Sequence, residues 1–215
     1  LVLNSPSNPS GAVYSQDELR ALSGVLMKYP RIGILCDDIY EHILFDGRKY
    51  STFAQAVPEL HDRTLTVNGV SKAYAMTGWR IGYAGGPKHL IKAMGKVQSQ
   101  CTHGPSSIGQ AAALAALEGP QDLVRERSDL FQRRRDFVVE ALNKAAGMHC
   151  PVPEGAFYVF PSCHGALGKR TPKGETLETD GDFTNYLLES EGVAVMSGTP
   201  YGMPGHLRIS IASSV

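Results

Sequence analysis

The sequence predicts an α/β fold, a mostly parallel sheet wrapped by helices and followed by a smaller α+β part. Three observations carry that expectation. Short apolar runs alternate with helical patterns through roughly the first 120 residues, the rhythm of parallel β-α-β units. A Gly119-Pro120 break then interrupts the helical stretch. Beyond it, one long amphipathic helix precedes several short strands.

Element by element, Leu1–Asn4 reads as a strand and Ser5–Gly11 as a Pro/Ser/Gly loop. Ser15 and Glu18 form a capping-box pattern that opens a helix to about Lys28, with Leu19, Leu22 and Leu26 on one face. Arg31–Asp37, carrying Ile32, Ile34 and Leu35, reads as a buried strand; Thr64–Asn68 and Arg80–Ala84 are two more. Pro87 suits a first helical turn. Ser106–Leu117 is an alanine-rich helix. Residues 121–146 space Leu123, Leu130, Phe131, Val138 and Leu142 at helical period, with Arg133-Arg134-Arg135 read as a solvated face. Ala156–Pro161, Val193–Met196 and Leu207–Ala212 read as strands, a helix spans about Asp182–Glu191, and Cys163–Thr179 is a loop. A domain boundary is expected near Gly119-Pro120, giving parts 1–120 and 121–215.

Composition narrows the function classes. Lys+Arg and Asp+Glu both number 21 in 215 residues, so no net positive charge favours nucleic acid or an anionic membrane. No run of about 18 apolar residues is present. The four cysteines, at 36, 101, 150 and 163, form no metal or disulfide spacing, and reduced thiols in the cytoplasm are expected. The seven histidines form no ligand motif. The chain opens on Leu1 within an apolar run and closes on Ser213-Ser214-Val215, so a piece of a longer chain is expected.

Chemistry concentrates in a few segments. Lys72 follows the strand at 64–68 closely, at the strand end where α/β sheets hold ligands. An amine attacks a carbonyl once it has lost its proton, which a cationic or desolvated site favours. Arg80 lies between Gly78 and Gly82, and a guanidinium fork suits a phosphate. Lysine for a carbonyl and arginine for a phosphate is what pyridoxal phosphate requires. Asp37 closes a buried strand, where an acid can hold the proton of a pyridine nitrogen and make the ring an electron sink. Tyr40 can reach the ring hydroxyl. Asn8, held between Pro6 and Pro9, can reach the same oxygen. Arg208 lies inside an apolar strand and needs an anionic partner, for which a substrate carboxylate gripped by its fork would serve. Other readings stay open for each: a surface lysine, an N-capping aspartate, a rigid proline turn, a structural ion pair at Arg208.

Together these segments resemble the class I/II aminotransferases of the fold-type I pyridoxal-phosphate enzymes. Asn8-Pro9-Ser10-Gly11 is similar to that family's N-P-[TS]-G, Asp37 and Tyr40 to its D-x-x-Y, and Ser71-Lys72 with Gly78–Tyr83 to its S-K…G-x-R-x-G-Y. Arg208 matches the arginine of its C-terminal strand. The resemblance implies pyridoxal 5'-phosphate as cofactor. It implies Asp37 on the pyridine nitrogen, Asn8 and Tyr40 on the ring hydroxyl, and Arg80 on the phosphate. It further implies Lys72 as the aldimine lysine and proton shuttle, with Arg208, beside Asn8, on the substrate α-carboxylate. Implied partners are a small amino acid and a 2-oxo acid, with a homodimer. Gly155–Pro161 resembles bacterial aspartate aminotransferases, including those acting on prephenate. The family's glycine-rich phosphate loop and ring-stacking aromatic would precede Leu1, and Gly69 stands where many relatives carry serine. A β-lyase of the same fold, or an aminotransferase-like sensor of a transcriptional regulator, are the rival expectations.

Overall fold

The structure, a computed structural model, describes residues 1–213. The chain divides into two compact units. Residues 1–6 and 13–128 form the first, and residues 7–12 and 129–215 the second, so the division falls beyond Gly119-Pro120.

The first unit is built on a four-stranded sheet in the order β1-β2-β3-β4. Strands β1 (Val2–Asn4), β2 (Ile34–Asp37) and β3 (Thr64–Gly69) are parallel, with Asn4 opposite Asp37 and Asp37 opposite Val67. Strand β4 (Gly82–Gly85) runs antiparallel to β3. This corrects the expected strand at Arg80–Ala84: Arg80 lies outside the sheet, and the connection after β3 holds a 3-10 turn rather than a crossover helix, so the chain returns antiparallel.

Helix α1 (Gln16–Leu26) carries the expected capping box: Glu18 N–H donates to the Ser15 hydroxyl, and Ser15 N–H to the Glu18 carboxylate. Leu19 and Leu26 pack with Leu3, Ile34 and Cys36 from the strands and Phe53, Ala56, Val57 and Leu60 from the following segment. That segment holds a short helix, α2 (Phe53–Ala56), which four residues of apolar pattern were too few to announce. Helices α3 (Lys88–Cys101) and α4 (Ser107–Glu118) follow β4.

Helix α5 (Asp122–Lys144) follows, and its faces correct the sequence reading. Leu123 and Leu130 are exposed, whereas Val124, Ser128, Arg135 and Val139 are buried. Arg135 is 2% exposed. Its guanidinium donates to the Pro153 carbonyl at 3.0 Å and pairs with Asp136. Arg134 donates to the Ile211 and Ala212 carbonyls. Only Arg133 of the triplet lies on a solvated face. Buried guanidinium groups are tolerated where carbonyls satisfy their donors.

In the second unit, β5 (Tyr158–Val159), β7 (Leu207–Ser210) and β6 (Met196–Ser197) form an antiparallel sheet with β7 central. Val139, Cys150, Val159 and Ile211 make its core. All three strands are shorter than expected. Helix α6 (Asp180–Glu191) starts two residues earlier than expected, capped by a Thr179–Asp182 box. The four cysteines are free, with only Cys101 exposed. Among the described residues, no helix is long and apolar enough to cross a membrane and no three His, Cys, Asp or Glu side chains group as metal ligands.

Candidate active site

The carboxyl ends of β2 and β3 are adjacent, and the turns leaving them carry the chemistry of the first unit. Asp37 ends β2, and its carboxylate accepts from Ile39 N–H at 3.3 Å. Its carbonyl accepts from the Asn4 amide at the end of β1. The chain then turns tightly: Glu41 N–H donates to the Asp38 carbonyl and Ile43 N–H to the Tyr40 carbonyl. Tyr40 is thereby buried, 3% exposed. Glu41, not singled out in the sequence, accepts from the Asn68 amide at 2.6 Å, tying the β2 turn to the end of β3.

Three residues past β3 stands Lys72. Its neighbours Val70 and Ala73 are buried and anchor the loop, while Arg127 donates to the Ala73 carbonyl. The Lys72 Nζ lies 6.0 Å from the centroid of the Tyr40 ring. Lys72 and Tyr40 thus approach each other beyond the carboxyl ends of β2 and β3, where Asp37 closes β2. Ala75 and Arg80 both adopt left-handed backbone, at φ 54° and 55°. For non-glycine residues this costs roughly 1–2 kcal/mol each, strain that clusters at functional loops. Arg80 ends a short 3-10 turn, exposed, and donates to the Thr77 carbonyl at 2.9 Å. Its side chain thus rests on its own turn.

Gly69 has a local reason. A Cβ there would meet the Ile81 carbonyl oxygen at 2.8 Å, so the serine of many relatives has no room without a backbone shift.

Asp38, beside Asp37, points into the first unit and is 3% exposed. Its Oδ2 has no hydrogen-bond partner. Burial pushes its carboxyl up to about 6, against a hydrogen bond from Tyr50 that pulls it down; Glu41 and Asp37 raise it further. Burial also holds the Cys36 thiol up, at about 12. Because the folded state binds the Asp38 proton more tightly than the unfolded one, this contribution is full below pH ~4 and lost as pH rises through about 6. Asp38→Asn removes that slope. Denaturant melts from pH 4 to pH 7 are expected to show wild type losing about 2 kcal/mol relative to the variant.

The second unit holds Asn8 and Arg208. The Asn8–Gly11 turn is closed by Gly11 N–H donating to the Ser7 carbonyl, and by Ser7 N–H donating to Ala12. The Gly11 carbonyl accepts from Glu154 and Gly155 N–H, both at 2.9 Å. Gly11 has φ 69° and a Cβ on it would collide with Pro153, so only glycine fits. This turn presents Asn8, whose Oδ1 accepts from Arg208 Nη1 at 3.1 Å. Arg208 is half-buried on β7. Its guanidinium lies over the rings of Tyr158 and Tyr201, at 4.8 and 5.4 Å, and Nη2 meets the Met196 sulfur at 2.6 Å. No carboxylate among the described residues pairs with it.

The model of the class I and II aminotransferases matches residues 1–214. The chain belongs to that family. The aspartate aminotransferase of Rhizobium meliloti is 60% identical over 214 residues, covering 100% of this chain and 52% of that protein. The aspartate/prephenate aminotransferase of Cereibacter sphaeroides is 54% identical, covering 99% and 53%. The crystal structure of the Rhizobium meliloti aspartate aminotransferase superposes with a TM-score of 0.95, covering 99% of this chain and 53% of that one. An aspartate aminotransferase from Thermus thermophilus with maleate superposes at 0.84 with 42% identity, covering 100% and 52%. The fold is therefore that of the fold-type I aminotransferases. This aminotransferase chain spans about half the length of the curated relatives it matches.

Sequence reasoning missed the surroundings of Arg208. Tyr201 sits in Gly198-Thr199-Pro200-Tyr201-Gly202, and an aromatic inside a Gly/Pro turn near a strand arginine was the available signal.

Proposed function

We propose that the protein containing this chain is a pyridoxal-phosphate-dependent aminotransferase, moving an amino group from aspartate or glutamate to a 2-oxo acid. The observation that carries the reading is the gathering of Lys72, Tyr40 and Asp37 at the carboxyl ends of β2 and β3. An amine, a phenol and a carboxylate at such an edge match the aldehyde, hydroxyl and ring nitrogen of the cofactor. The neutral surroundings of Arg208 support the carboxylate role, and the names of the relatives support the substrate class. In this reading residues 1–120 belong to the cofactor-binding domain and 121–215 to a small domain. The protein is a cytoplasmic homodimer.

When bound, pyridoxal phosphate supplies a conjugated cationic ring that spreads the charge left when a Cα proton departs. Asp37 holds the proton of the ring nitrogen, so that cationic character persists. Tyr40 and Asn8 would hold the ring hydroxyl, and Arg80 would hold the phosphate. Lys72 Nζ would hold the aldehyde carbon, and as a free amine it would move the proton at the substrate Cα. Tethering makes that transfer effectively intramolecular. Arg208 fixes the α-carboxylate in a bidentate fork. One amino acid and one 2-oxo acid exchange amino group for carbonyl oxygen, so no outside oxidant enters. The full-length protein with aspartate and 2-oxoglutarate is expected to yield oxaloacetate and glutamate in equal amounts. Pyruvate and ammonia from a β-substituted amino acid, without amino transfer, would assign the β-lyase instead.

A further inference from the structure

We propose that Tyr201 is a positioning residue for Arg208, holding the guanidinium by its ring face so that the fork stays aimed without an acid of the described residues paired to it. The proposal rests on the reading of Arg208 as the carboxylate site. A free arginine side chain loses about 2 kcal/mol of rotamer entropy when fixed. Proteins commonly fix one with an acid, which would also occupy the fork. Among the described residues the guanidinium is held by neutral groups: Asn8 Oδ1, the Met196 sulfur and two tyrosine rings. A ring within about 6 Å attracts a cation through its quadrupole and leaves the in-plane donors free for an anion.

Tyr201 is itself placed with care. It closes the 3-10 turn Thr199–Tyr201, ended by Gly202 at φ 73°. Asp180, buried at the start of α6, accepts from Thr199 N–H at 2.8 Å and from its hydroxyl at 2.7 Å, pinning that turn. Phe160 meets the Tyr201 ring edge-on at 6.2 Å and stacks on His206 at 5.3 Å, backing the ring from behind. Among the described residues the Tyr201 hydroxyl donates to the Met196 sulfur alone, at 3.7 Å. The ring, not the hydroxyl, is therefore what the site uses.

The test compares Tyr201→Leu and Tyr201→Phe in the full-length protein. Two readouts are taken: the KM-against-kcat split for aspartate, and equilibrium binding of succinate, which has no amino group to react. Tyr201→Leu is expected to weaken succinate binding and raise KM by about 5- to 30-fold, with kcat far less affected. Tyr201→Phe restores most of that loss. Should the leucine variant melt early, Tyr201→Gln carries the same expectation. Unchanged succinate binding in the ring-less variants, or an equal loss in Tyr201→Phe, overturns the proposal. Arg208→Gln, measured alongside, separates the two claims. If it loses succinate binding while Tyr201→Leu does not, only the role of Tyr201 falls. If Arg208→Gln binds succinate as wild type does, the carboxylate reading falls and this proposal with it.

Discussion

Replacing Lys72 by alanine is expected to lower turnover of the full-length protein by about 10⁴-fold or more, the upper range for removing a positioned general acid–base. Two losses combine. The amine that binds the cofactor aldehyde is gone, and so is the base tethered at the reacting carbon. The surrounding loop should survive the change. Val70, Ala73 and Ile81 carry its packing, and Arg127 still reaches the Ala73 carbonyl. Those buried side chains stay in place, so the melting temperature is expected to stay near wild type. Stopped-assay turnover beside a thermal melt checks both halves. Activity within tenfold of wild type would remove Lys72 from the mechanism.

Arg208→Gln carries the second largest effect. Truncating one partner of a desolvated charge pair costs about 2–5 kcal/mol. At 1.4 kcal/mol per decade, that is roughly a 30- to 3,000-fold rise in KM for any α-carboxylate substrate. The rise should be common to donor and acceptor, because both carry that carboxylate. Arg208→Lys is expected to recover only a minor share, since an ammonium cannot fork onto two oxygens. Among the described residues the guanidinium touches Asn8, Met196 and two rings and no acid, so its removal strands no buried carboxylate there. Stability is therefore expected to change little. Steady-state kinetics on both variants decide it, and an effect confined to kcat would contradict the assignment.

What could be read from the sequence follows from what is local. β1, β2 and β3 are legible because parallel strands read as short continuous apolar runs. The capping box at Ser15 is legible because both partners lie within one turn. Asp37, Tyr40 and Lys72 sit within a few residues of strand ends, so their gathering follows from strand adjacency. The misses are non-local. The direction of β4 depends on how the Lys72 loop closes. The inward face of α5 depends on carbonyls at Pro153 and Ile211, which turn arginine into a buried residue while Leu123 and Leu130 stay outside. The rings around Arg208 come from β5 and the turn before β7, far apart in sequence. Gly69 shows the opposite case: its departure from the family serine becomes intelligible once the Ile81 carbonyl is seen against it.

The most direct test of the central claim is chemical trapping. The full-length protein is mixed with pyridoxal phosphate, reduced with borohydride and digested, and the modified peptide is mapped. The account predicts one stoichiometric pyridoxyl label, on Lys72. A label on any of the other lysines, or none at saturating cofactor, would contradict it.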